Sequence, residues 1–438
     1  MRKSALTLSF LILIFLSGAT ASPQSAKRAQ SAAETKQTET DEYTRYELLA
    51  PDSASFRIRY EVTAATPGAK YYFNPIRKGS VASDEAVYDA MTGGPLRFEV
   101  IGGADARKDP LMSDADADTN YIKVSLARPV PAAGQGRMVI LKTYKDPGSY
   151  FREGDAIVFK RSLGIKRNSI VLPAGYELVS CNLPSQVLSE PDGRIAASFI
   201  NAGPTEAPLI LKAKLGAQTG PAASPRPPTA ARSWEAPFQG ETERERLSER
   251  AHQDRDIVYF LKQPETHAFA LYHDYTEARP GIDKYLNVVR EGSTVSDPSA
   301  YILDTGEMLP TQILNGAELA AAKIQADEPI KPDTQVVLIH FTPVKSGQSL
   351  RLRIAETYTA PASYRLEGDE LVFDRSLGRP RNAVVLPEGW YLTASAIPAT
   401  VSQLTVGRVR LDFWNPRPDS IDVLIKAKRR IGGETKKP

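Results

Sequence analysis

A single cysteine, Cys181, stands in this chain of 438 residues, so no intramolecular disulfide can brace it. Histidine is nearly as scarce, at four positions: His252, His267, His273 and His340. No nucleophile elbow of the G-x-S-x-G type, no phosphate loop and no H-E-x-x-H occurs. These gaps exclude the enzyme classes that can be read from local motifs. Sustained helical periodicity is missing, and beyond the N-terminal residues no segment is long and apolar enough to cross a bilayer. Lysine and arginine (55) nearly balance aspartate and glutamate (52), which leaves no concentrated basic face for nucleic acid.

What is present is one long module written twice. Tyr46 to Gly93 matches Tyr259 to Gly306 without a gap at a shift of 213, with 18 of 48 positions identical. Thr143 to Gly175 matches Thr357 to Gly389 at a shift of 214, with 20 of 33 identical. One residue is inserted in the second copy, in the stretch matching 104–122. A period this long means two tandem domains rather than a solenoid of short units. Each is long enough to build an ordinary hydrophobic core. The pairing also weighs single residues. Cys181 is answered by Ser395, and His267, His273 and His340 by Ala54, Tyr60 and Leu126. No histidine is therefore a shared general base, although His273 and Asp274 are adjacent and could act as a base and its orienter.

The termini and joints differ in composition. Residues 1–21 read as a signal peptide: Arg2 and Lys3, an apolar stretch from Leu6 to Leu16, and Ala19-Thr20-Ala21 before Ser22. Export to the periplasm or outside the cell is the expectation, with no membrane span after cleavage. Removing Arg2 and Lys3 takes the formal charge from +3 to about +1. Residues 22–42, poor in large apolar side chains, read as a disordered leader. The first module runs over 43–215 and the second over 257–430. Between them lie a Pro/Ala-rich linker at 216–240, extended and allowing independent orientation, and a short charged helix at 241–256. Residues 431–438 form a basic tail.

Inside the modules the period is two. Phe56, Ile58 and Tyr60 alternate with Arg57, Arg59 and Glu61, as in a strand with one buried face. Ile195, Ala197 and Phe199 alternate likewise, answered by Val409, Leu411 and Phe413. Turn signals such as Pro67-Gly68, Asp146-Pro147-Gly148 and Pro191-Asp192-Gly193 separate the runs. The expected fold is all-β: two homologous antiparallel β-sandwich modules of about ten to twelve strands each. Whether each is one sandwich or two divided near residue 130 stays open.

Two polar constellations recur. The first is Asn74, Arg77, Gly79, Ser80 and Asp84, matched by Asn287, Arg290, Gly292, Ser293 and Asp297. The second is Arg161, Ser162, Gly164, Arg167 and Asn168, matched by Arg375, Ser376, Gly378, Arg381 and Asn382. Arginine forks hold carboxylates or phosphates and asparagine reads sugar hydroxyls, so these residues suit a ligand groove. The competing reading, which weighs more, is that they lock turns by bonding backbone carbonyls. Trp414, beside Asn415, is placed by alternation on the outer face, where it stacks on a sugar or packs against a neighbouring module. The loop Asp114, Asp116, Asp118 and Asn120 presents oxygen at every second position and is the candidate calcium site, the one cofactor considered. It departs from the EF-hand at Thr119 and Ser125, and the second copy has nothing similar near 325–333. A solvated acidic loop is the simpler reading.

Leu172-Pro173-Ala174-Gly175-Tyr176, then Pro191-Asp192-Gly193-Arg194 and Phe199-Ile200-Asn201, resemble exported bacterial β-domains of uncharacterised families, as do Leu386-Pro387-Glu388-Gly389-Trp390 and Phe413-Trp414-Asn415. Phe56 to Thr63 with Pro67-Gly68 is similar to the β-rich N-terminal domain of gluzincin aminopeptidases. That likeness covers about half of each module and implies a scaffold, because the zinc motif of those enzymes is absent here.

The resulting expectation is a non-catalytic exported protein that presents two related faces to a glycan or an envelope protein. A glycan-directed hydrolase of unfamiliar type, with Asp155 and Asp369 as matched carboxylates, and a purely structural envelope partner are the alternatives.

Overall fold

The computed structural model describes Gln37, 42–203, 205–216, 249–326 and 330–430. The expected signal peptide, the basic tail, and most of the leader and linker lie outside the described residues. Gln37, within the expected leader, is tied to the first module: Phe73 donates its N–H to Gln37 Oε1 at 2.9 Å, and Ala65 donates to the Gln37 carbonyl.

Among the described residues, period-two patterning yields 14 strands in the first copy and 15 in the second. Ser55–Ala64 buries Phe56, Ile58 and Tyr60 and turns Arg57 and Arg59 to solvent, as the alternation requires. Each module has a large sheet of seven or eight strands, a sheet of four and a sheet of three. In the first, the large sheet runs in the order Gln186–Ser189, Ile195–Ile200, Arg167–Val171, Tyr43–Leu48, Ser55–Ala64, Gly136–Lys145 and Val81–Asp89. The second repeats it, and adds the two-residue strand Met308–Leu309 at one edge. One pair in each copy departs from antiparallel: Tyr43–Leu48 lies parallel to Arg167–Val171, and Asp256–Leu261 to Arg381–Val385. The first strand enters mid-sheet and meets a partner more than a hundred residues on, and that long crossover permits the parallel direction.

One main apolar core joins the sheets of each module, from Tyr46 to Ala213 in one and from Ile257 to Ala427 in the other, with a smaller apolar cluster beside it. Each module is therefore one packed body rather than two divided near residue 130. Edge-to-face aromatic contacts recur at its centre, Phe56 on Phe159 in the first copy and Phe269 on Phe373 in the second. The matched glycines Gly103 and Gly316 begin short helices where a Cβ would lie 1.9 Å and 2.2 Å from the carbonyl oxygens of Asp116 and Lys331. No side chain fits there.

Ile195–Ile200 does not alternate as expected: Ala196 and Ser198 are buried together with Ala197 and Phe199. The strands beside it, Arg167–Val171 and Gln186–Ser189, are bonded by the chain that enters the second module. Of the helix expected at 241–256, residues 241–248 lie outside the described residues, and Glu249 to Arg255 is a turn followed by irregular chain. Tyr43 donates to Glu249 at 2.8 Å, Arg167 to the carbonyls of Ala251 and His252, and Arg250 N–H to Gln186. From the same segment the Arg250 guanidinium reaches the Asn415 and Gly378 carbonyls of the second module. The described residues of this segment thus bridge the two modules.

A second junction brings the modules into direct contact. Arg137 grips Asp304 through Nε and Nη2 at 2.7 and 2.8 Å, and Asp304 is 0% exposed. Arg351 donates its backbone N–H to the same carboxylate. Gln135 N–H donates to the Leu303 carbonyl, Ser349 N–H to the Met91 carbonyl, and Met91 packs on the second core. This bidentate, desolvated pair replaces the independent orientation expected of the linker.

Candidate functional site

Part of each recurrent constellation meets in the first module, where Arg77 and Ser80, in the turn after Asn74, face Ser162, the loop 146–149 and Arg161; in the second, Arg290 reaches Ser376. Gly79 and Gly292 close the equivalent turns at φ +84° and +78°, a conformation that favours glycine. In the first copy Asp146 accepts from Ser80 Oγ at 3.0 Å, Ser149 Oγ at 2.7 Å, Ser149 N–H at 3.0 Å and Arg161 Nη1 at 2.8 Å. Burial pushes the Asp146 carboxyl up, but the serine donors and Arg161 outweigh it and hold it below its ordinary value. Arg161 also lies over the Phe56 and Tyr144 rings.

The second copy keeps Ser293, Ser363 and Arg375 and puts Ala360 at the position of Asp146. Arg375, 6% exposed, sits over Tyr259, Phe269 and Tyr358, and its Nε and Nη1 have no partner among the described residues. Burial and the nearby Arg375 charge pull the Arg290 guanidinium below the usual arginine range.

The remaining arginines and asparagines bond mainly to the chain itself. Arg77 donates to the Ser162 carbonyl at 3.0 Å and Arg290 to that of Ser376 at 2.7 Å. Asn168 holds the Ile165 carbonyl and Asn382 that of Arg379. Arg381 approaches Asp256 at 4.0 Å. Asp84 and Asp297 have φ of 55° and 52°, at bulges where the strand register slips. Aspartate tolerates that left-handed conformation better than most residues, which explains its identity in both copies.

Asn74 and Asn287 face opposite partners. Asn74 Oδ1 accepts from Lys142, whereas Asn287 Nδ2 donates to both oxygens of Glu356 at 2.9 and 2.8 Å. Burial, aided by Arg161, brings Lys142 down to about 7, and burial raises the Glu356 carboxyl.

Asp114, Asp116, Asp118 and Asn120 do not converge. Asp116 pairs with Lys78 at 2.7 Å and accepts the Asp118 N–H, and no group of three His, Cys, Asp or Glu among the described residues is placed to hold a metal. Asp155 and Asp369 are exposed partners of Lys214 and Lys428 on separate modules. His273 and Asp274 point to opposite faces of their strand and cannot act as base and orienter. Burial, with Arg379 and Arg255 nearby, lowers His273 to about 3, while Arg353 grips Asp274 at 2.7 and 2.8 Å. Trp414 is half-buried and its Nε1 is shut from solvent without a partner among the described residues. Asn415 beside it is fully buried and donates to the Asp419 carbonyl.

Sequence reasoning passed over Asp146, Lys142 and Glu356. Their signal was available: each marks a break in identity beside conserved neighbours. It also passed over Arg137 and Asp304, since a buried pair between modules has no periodicity.

No family model matches this chain, and no curated protein matches it. Among solved structures it is similar to the M1 zinc metallopeptidase from Deinococcus radiodurans, at 10% identity over 40% of this chain and 41% of that one, with a TM-score of 0.26. It is likewise similar to the aminopeptidase N family protein from Idiomarina loihiensis, at 11% identity over 39% of this chain and 29% of that one, with a TM-score of 0.24. The chain spans about two fifths of the length of the first of these.

Proposed function

We propose that this is a non-catalytic exported interaction protein whose paired modules offer matched sheet edges to an envelope partner. The observation that carries the reading is duplicated exposure along one strand. Phe98–Gly102 and Thr311–Asn315 stand at equivalent positions, each at the edge of its three-stranded sheet. Phe98 and Val100 are 37% and 51% exposed in the first copy, and Ile313 is 39% exposed at the position of Val100 in the second. Edge strands offer unpaired backbone groups and are usually blunted by charge or cover, so an exposed apolar residue kept at one edge position in both copies suits strand addition by a partner. Joining the modules through Arg137 and Asp304 holds the two edges on one body, which favours bivalent contact. Export rests on Arg2, Lys3, the Leu6 to Leu16 stretch and Ala19-Thr20-Ala21. Among the described residues no helix is long and apolar enough to cross a membrane.

The test places a photo-crosslinking residue at Val100, at Ile313 and, as control, at exposed Val406, in cells that export the protein. The expected result is one discrete adduct shared by Val100 and Ile313, missing from Val406, with a mature chain beginning at Ser22. No adduct at either edge, or equal labelling at Val406, overturns the reading.

A further inference from the structure

We infer that the second module carries a binding site for a carboxylate group, built from Arg375, Ser293, Ser363 and Arg290 around Ala360. It is independent of the edge-strand reading above.

The first module displays the occupied form of this site. There Asp146 supplies a carboxylate to Ser80, to the hydroxyl and N–H of Ser149 and to Arg161. The counterparts of the donors, Ser293, Ser363 and Arg375, persist in the second copy, and the acceptor is lost to Ala360. Alanine plus a formate ion contains the atoms of an aspartate side chain, apart from hydrogens, so the second copy holds the counterparts of a carboxylate-binding donor set without that carboxylate.

A second observation points to a ligand. The Arg375 guanidinium is more than nine-tenths buried, and two of its nitrogens have no hydrogen-bond partner among the described residues. A desolvated, unpaired charge is among the costliest features a fold can hold. The aromatic rings over Arg375 do not remove that cost, because Arg161 has the same kind of ring contacts and keeps its carboxylate as well. Glu356 is the nearby alternative counter-charge. It accepts from Asn287 with both oxygens and makes no hydrogen bond to Arg375. Ala360 and Arg375 are buried and Ser293 is half-buried, whereas the Arg290 side chain is the most exposed of these although its guanidinium is partly desolvated. An incoming carboxylate would pass Arg290 and end on Arg375, where a planar fork suits it.

Thermal unfolding of the mature protein in sodium formate, against sodium chloride at equal ionic strength, tests the site. Formate should lower the unfolded fraction by about 100-fold once its concentration reaches a hundred times its Kd. Ala360→Asp should raise Tm without formate and abolish the formate response, since the chain then fills its own site. Arg375→Met should also lose the response, and should it fail to fold, Ala360→Asp still decides. In the first module, Asp146→Ala should create a second formate response. A wild-type protein indifferent to formate, an equal response to chloride, or a response that survives Ala360→Asp would each overturn the inference.

Discussion

Lys142 in the first module and Glu356 in the second occupy the same strand position, both buried, each against the asparagine its module retains. One side chain is basic and the other acidic, on strands paired in the same way. Asparagine makes this possible, because its amide presents an acceptor on one side and two donors on the other. Asn74 turns its oxygen to the ammonium and Asn287 its nitrogen to the carboxylate. The residue identical in both copies is therefore the adaptor, while the charge beside it is free to change sign. The exchange of Asp146 for Ala360 follows the same pattern, with Arg161 and Arg375 constant and the partner altered.

The largest expected effect concerns the residue without a counterpart, since Asp304 aligns with Met91. Asp304→Ala strands the buried Arg137 charge and should cost about 3–5 kcal/mol. It should also uncouple the modules, so that calorimetry resolves two transitions in place of one. Asn74→Leu and Asn287→Leu come next: each leaves a buried charge without its hydrogen bond and should cost about 1–3 kcal/mol in urea titrations. Equal tolerance of both changes would remove the adaptor from the comparison.

The copies should also respond to pH with opposite sign. Folded Lys142 releases its proton near 7, whereas the unfolded chain keeps it to about 10.5, so the unfolded state binds more protons in that window. Stability contributed by the first module should rise with pH across it, and Lys142→Met should flatten the slope. Glu356 has a raised value, so the folded state binds more protons above 4.5. Its contribution is present at low pH and falls as pH rises toward the folded value, and Glu356→Gln should remove that fall. Urea midpoints at several pH values, for wild type and both variants, check each sign. The smallest effect belongs to the matched loop asparagines. Asn201 and Asn415 hold the Thr205 and Asp419 carbonyls, and alanine at either should cost about 1 kcal/mol.

Much of this architecture was legible in the sequence. The 213- and 214-residue shifts, with alternation such as that of Phe56, Ile58 and Tyr60, lead directly to two homologous β modules. The parallel pairing of Tyr43–Leu48 with Arg167–Val171 was not legible, because alternation is the same for either strand direction. Nor was the bridge at Glu249 to Arg255, since residues that satisfy a sheet's outer face have the composition of solvated chain. At the candidate site, identity between copies singled out Arg77 and Ser80 in one constellation and Arg161 in another, with their counterparts. It could not reveal what they hold, because Asp146 and Lys142 are where the copies differ.

The union of the modules through Arg137 and Asp304 is tested most directly by a double-mutant cycle with Arg137→Ala and Asp304→Ala, read by denaturant unfolding. A coupling of about 2 kcal/mol or more is predicted, with a single transition in the parent protein. Additive effects, within about 0.5 kcal/mol, on two modules that already unfold separately would contradict it.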